Sequence, residues 1–149
     1  MSATGVGSLD HSIEITNAWL VGVEKGFGTD DRGLAYRATR AWLHSLRDRL
    51  TMQVAAHFAA QLPDLLRGVF YDGWNPSHVP QKYGSAEYIA RFARDARIHD
   101  SDVAKAAGIV TAVVRQHASA GVVDEAFALL PTDLRELLQH ETAAPAPGH

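Results

Sequence analysis

Cysteine is missing from all 149 residues, which excludes disulfides, thiolate metal ligands and thiol catalysis. A chain without thiols suits a reducing compartment. Residues 1–9 are small and polar, not basic and then apolar, so they do not form a secretory signal and a cytoplasmic location is expected. No apolar run approaches the ~20 residues that cross a bilayer, and no membrane partner is expected. Massed positive charge is lacking too. The 14 Lys and Arg stand against 17 Asp and Glu, for a net charge of −3, and the basic residues are scattered. Binding to a phosphate backbone needs them clustered, so nucleic acid is not an expected partner. There is no nucleophile elbow, no phosphate-cradling glycine loop and no His-Glu-x-x-His. Gly26-Phe27-Gly28 follows a helical pattern instead of a strand, so it is a helix stop and not a dinucleotide fingerprint. No cofactor is expected, and the chain reads more as a binding protein than as an enzyme.

Alternating strand patterns are also absent, and what remains is helical periodicity. The spacing predicts an all-α, single compact domain of about eight helices over residues 10–140, with tails at 1–9 and 141–149. The first helix runs from about His11 to Lys25 and buries Ile13, Trp19, Leu20 and Val23 before Gly26 and Gly28 stop it. Thr29 or Asp30 caps the second, which buries Leu34, Ala38, Ala41, Trp42 and Leu46. Thr51 caps a third with Val54, Ala55, Phe58 and Leu62, and Pro63 opens a fourth with Leu65, Leu66, Val69 and Phe70. A loop over 72–84 follows, marked by Gly73, Pro76 and Pro80. Caps at Ser85, Asp100 or Ser101, and Ser119, and a start at Pro131, then open four more helices.

Displaced by 68 residues, the chain matches itself without a gap. Ala38 falls on Ala106, Arg47 on Arg115, Val54 on Val122, Leu62-Pro63 on Leu130-Pro131, and Leu66-Arg67 on Leu134-Arg135; Thr51 falls on Ser119, keeping the cap chemistry. A shift one residue longer sets Trp19, Leu20 and Val23 on Tyr88, Ile89 and Phe92. The expectation is two tandem four-helix repeats, about 10–74 and 85–140, sharing one core because neither buries its faces alone.

Between Leu34 and Trp74 stand Ala-Tyr-Arg-Ala at 35–38, Leu-His-Ser-Leu-Arg-Asp-Arg-Leu at 43–50, Ala-Gln-Leu-Pro at 60–63, Leu-Leu-Arg-Gly at 65–68 and Phe-Tyr-Asp-Gly-Trp at 70–74. This string resembles DUF2267, a bacterial family of unknown function. Thr16-Asn17-Ala18-Trp19-Leu20 and the Leu130-Pro131 end with Leu134-Arg135 resemble it as well. The resemblance implies a small bacterial helical protein and carries no activity with it.

Three sets of residues invite chemistry. His44 and Asp48, at i and i+4, share a helix face, and His57 on the next helix can approach them; they are the metal candidates among eight histidines, against the alternative that His44 packs inside on a carbonyl or carboxylate. Arg47, Arg67, Arg115 and Arg135 recur as repeat mates and offer an anion site in a cleft between repeats, unless they bridge or cap helix ends. Phe70, Tyr71, Trp74 and Tyr83 surround the linking loop and serve either as an interaction surface or as a plug between halves. The leading expectation is a non-enzymatic helical module for protein interaction or scaffolding, or for self-association through one face of a pseudo-two-fold arrangement. A small-molecule or anion binder and a metal-dependent enzyme using His44, Asp48 and His57 are the rivals.

Overall fold

Eight α-helices follow one another in the computed structural model, which describes residues 3–140, and no strand occurs among the described residues. They are α1 (Gly7–Phe27), α2 (Arg32–Arg47), α3 (Met52–Ala59), α4 (Asp64–Tyr71), α5 (Ser85–Ala96), α6 (Val103–His117), α7 (Ala120–Ala128) and α8 (Thr132–Leu138). Single 3-10 turns stand at Pro76–His78 and Asp100–Asp102. The expected tail over 141–149 lies outside the described residues.

Local chemistry moves several boundaries. α1 starts at Gly7, inside the expected N-terminal tail, because Asp10 in its first turn accepts from Thr4 N (2.9 Å) and Thr4 Oγ1 (2.7 Å). Gly26 lies within α1, and Gly28 alone ends it. Gly28 is left-handed (φ 70°), with its N–H on Lys25 O (3.1 Å) and the Thr29 N–H on Glu24 O (3.0 Å). Asp31, not Thr29 or Asp30, caps α2 and accepts from Leu34 N (3.0 Å). Thr51 caps α3 as its sequence position requires, accepting from Val54 N (3.2 Å). Pro63 and Pro131 sit at the N-cap instead of in the first turn, where a missing N–H is equally harmless. Gly84, not Ser85, precedes α5, and Asp102, after its 3-10 turn, precedes α6. Ser119 holds the N-cap position of α7 without a side-chain capping bond; Gln61 Oε1 accepts its N–H instead (3.2 Å).

The core is continuous through both ends of the chain. Trp42 is fully buried, its indole N–H on Thr111 Oγ1 (2.9 Å) and its rings 5.9 Å from Phe58 and 6.3 Å from Phe127. Ala38, Ala41, Trp42 and Leu46 of α2 and Ala106, Ile109, Val110 and Val114 of α6 are all buried. Leu65 departs from its expected burial and is exposed, and Ile13 is half-buried. Helix packing is reciprocal. α2 lies on α5 as α6 lies on α1, α1 on α2 as α5 on α6, α4 on α1 and α2 as α8 on α5 and α6, while α2 meets α6 and α3 meets α7. Exchanging α1–α4 for α5–α8 leaves this set unchanged. The left-handed helix end also recurs, at Arg97 (φ 58°), with Ile98 N on Ala93 O (3.0 Å).

α1 and α6 approach closely at Gly26, where an added Cβ would stand 2.5 Å from Ile109 Cγ2. Gly68, by contrast, sits within α4 with open space around it. Gly26→Val is therefore expected to destabilise by about 1–3 kcal/mol through overpacking. Gly68→Ala is expected to stabilise by about 0.5–1 kcal/mol by restricting the unfolded chain. Urea unfolding of the two variants checks the opposite signs.

Candidate functional site

The polar centre of the first half is a staple built on α2. Arg47, 5% exposed, donates from one terminal nitrogen to Phe70 O (2.9 Å) and Asp72 O (2.8 Å), and from Nε to Asp48 Oδ1 (2.8 Å). It thereby closes the C-terminal end of α4, whose last carbonyls have no helical partner. The linking loop then folds down on α2 and α5. Gln81 N donates to Asp48 O (2.7 Å), Arg49 to Gln81 O (3.0 Å), Arg91 to Gln81 Oε1 (3.0 Å), and the Tyr83 hydroxyl to Ser45 O. Arg91 also lies over the Tyr83 ring, 4.2 Å from its centroid. Burial first, and then the charge of Asp48, push the Tyr83 hydroxyl well above its ordinary pKa, so it stays a neutral donor.

This arrangement places the four loop aromatics. Phe70 is fully buried against Phe58 and Tyr71, and Tyr83 is buried under Arg91. Neither offers surface to a partner. Tyr71 and Trp74 are half-buried, 5.2 Å apart, and packed on the core.

The four arginines bond different acceptors. Arg47 holds α4 as described. Arg67 donates Nε to Ala59 O and a terminal nitrogen to Leu62 O (both 3.0 Å), capping α3. Arg115 pairs with Asp124 (3.2 Å) and lies over Phe127, and Arg135 bonds Thr132 Oγ1 (3.3 Å). The metal candidates are likewise dispersed. His44 Nε2 meets Val69 O at 2.6 Å, so the neutral ring donates there; Asp48 faces Arg47 and Arg91; His57 on α3 pairs with Glu125 on α7 (3.2 Å). Among the described residues no three such side chains gather where they could hold a metal ion. His44, Asp48 and His57 thus each hold a separate partner.

What stays uncovered is a surface furrow along the meeting line of α1 and α6. Its apolar lining includes Ala18, Val21, Gly22, Ile109, Ala112 and Val113. Ala18 also lines an adjoining depression with Ile15, Leu62 and Pro63, which extends the apolar track towards α4. Helical periodicity places Leu62 and Ile109 in core stripes but leaves Ala18, Val21, Gly22, Ala112 and Val113 outside them. The signal that marks them is small residues four apart on α1 (Ala18, Gly22, Gly26), which allow α6 to approach without filling the line between the helices.

Removing Arg47 strips acceptors inside the fold, whereas Arg115 works at the surface. Arg47→Met is expected to cost about 3–5 kcal/mol, as for breaking a buried ion pair, and Arg115→Met less than about 1 kcal/mol, both read by urea unfolding. His44 adds a pH dependence. Burial first, then the charges of Arg47 and Arg40, lower its pKa below the ordinary 6.5, against the raising effect of the Val69 carbonyl and Asp48. A folded-state pKa below the unfolded one means the unfolded chain binds the proton more readily. Stability is then full above about pH 6.5 and falls as pH drops through and below that value. His117, lowered by burial alone, adds to the same slope. Denaturation midpoints measured from pH 7.5 to 5 should fall steadily in the wild type and less steeply in His44→Gln.

No curated protein matches the chain. The sequence profile of the uncharacterized conserved proteins DUF2267 matches residues 16–137, from the middle of α1 almost to the end of α8. The chain belongs to the DUF2267 family.

Proposed function

We propose that the protein is a non-enzymatic helical module that binds polypeptide, with the furrow between α1 and α6 as its docking face. One observation carries the reading: this face is apolar and open, while the arginines, histidines and loop aromatics that could do chemistry are committed to holding helices together. The ligand class follows from the first half. We read the halves as tandem duplicates, on the residue matches 68 apart, the recurring cap positions and the reciprocal helix packing. In the first half the residue equivalent to Gln116 of the furrow is Asp48, whose carbonyl accepts the N–H of Gln81 from the linking loop. A polypeptide segment is the natural occupant of the matching face, contacting small side chains with little demand for hydrogen bonds. Among the described residues no helix is long and apolar enough to cross a membrane.

A photoreactive phenylalanine placed at Ala112 or at Ala18 tests the reading. Both positions line the furrow and are exposed. Irradiation should yield adducts from both that map to one discrete polypeptide segment, and none from the same probe at exposed Gln53 on α3. Adducts no more frequent at 112 and 18 than at 53, or scattered over unrelated peptides, overturn it.

A further inference from the structure

The two walls of the furrow run in opposite directions. Trp19 of α1 stacks on His117 of α6, their ring centroids 4.9 Å apart. One turn further along α1, a Cβ on Gly22 would meet Val113 Cγ2 at 3.2 Å, and one turn beyond that a Cβ on Gly26 would meet Ile109 Cγ2 at 2.5 Å. Charge is distributed unevenly along this line. Lys25 lines the furrow at its Ile109 end and is exposed. Lys105, also exposed, stands one turn before Ile109 on α6, so both cations mark the same end. Towards the other end Glu14 is exposed one turn before Ala18. Glu14 and Lys25 are eleven residues apart, about three full turns, which puts them on one face of α1 with Ala18 and Val21 between them. Glu14, Lys25 and Lys105 form no ion pair among the described residues.

We propose that the occupant of the furrow is α1 of a second copy of this chain, laid antiparallel to the first. The inference rests on the reading of the furrow as a polypeptide site. A helix suits an apolar wall because its backbone N–H and C=O groups are already bonded within it. The charges fix the direction. A two-fold axis crossing α1 midway between Ala18 and Val21 sets Ala18 on Val21 of the second copy and Glu14 on its Lys25, with Lys105 at the same end. Each contact is then made twice, as a closed dimer of identical chains requires. A parallel arrangement would set Lys25 on Lys25 and Glu14 on Glu14. Contact between the apolar residues supplies the attraction, and the rim charges supply register and orientation. The face is thus self-complementary, and one surface of one chain provides both furrow and ligand.

Sedimentation of the wild-type chain should show a concentration-dependent equilibrium between monomer and dimer. Glu14→Lys and Lys25→Glu should each raise the dissociation constant about tenfold or more, since each sets like charges together twice. Both positions are exposed, and circular dichroism confirms that the variants are folded. An equimolar mixture of the two should dimerise again, because one variant carries lysine at both places and the other glutamate at both. The photoreactive probe at Ala112, in mixed labelled and unlabelled copies, should yield adducts between copies that map to α1. A wild-type chain that stays monomeric at every concentration overturns the inference. So does a dimer that neither variant weakens, or a pair of weakened variants that does not recover on mixing. Adducts from 112 and 18 that map to one segment of a different protein also overturn it, and leave the polypeptide-binding reading standing. Absence of any furrow adduct from 112 and 18 sinks both.

Discussion

Trp42 stands where α2 meets α6, and its indole N–H needs an acceptor in a place water does not reach. Thr111 provides it, and the same hydroxyl donates to Ala107 O (2.8 Å), so indole and hydroxyl both have partners. Phe58 from α3 and Phe127 from α7 flank the ring. Four of the eight helices, α3, α4, α7 and α8, are only seven to nine residues long, too short to persist in water by themselves. They exist because each half closes the other's core around this tryptophan. Polar residues elsewhere follow the same logic: Arg47 and Arg67 are helix-end acceptors' partners first, and whatever they could bind is secondary to that duty.

The helical class, the N-caps at Thr51 and Ser119, the proline starts at 63 and 131 and the buried stripes of α2 and α6 were legible from spacing and cap chemistry. Those signals are local, and local rules decide them. The capping of α2 was not, since Thr29, Asp30 and Asp31 are all competent caps. The choice fell to Asp31 because the left-handed turn at Gly28 takes up Thr29. Gly26 misled for a related reason. Glycine ends helices, but here its missing side chain admits Ile109 from a helix some eighty residues away, and no local pattern carries that.

The side-chain constellations were least legible. The arginine pairs 47/115 and 67/135 match in residue type 68 residues apart yet bond differently. Arg47 finds Phe70 O and Asp72 O where the chain turns back into the linking loop, and Arg115 finds Asp124. His44 was open to two readings, and the carbonyl of Val69 resolves them in favour of the packed imidazole. Of the aromatic residues around the proline-bearing loop, Phe70 and Tyr83 are buried and Tyr71 and Trp74 half-buried, a division that spacing alone does not show. The furrow went unnoticed because alanine and glycine on an exposed face carry no signal until a second helix is laid beside them.

His57 and Glu125 stand at matched positions, and they face each other across the line where α3 meets α7. Two identical subunits related by a dyad would put like against like there, histidine on histidine or glutamate on glutamate, and gain no ion pair. Within one chain that restriction does not apply, and attraction between unlike groups is available. The ion pair, exposed and energetically slight, is thus an interaction that a dimer of identical chains meeting at these positions on its dyad has no means to encode.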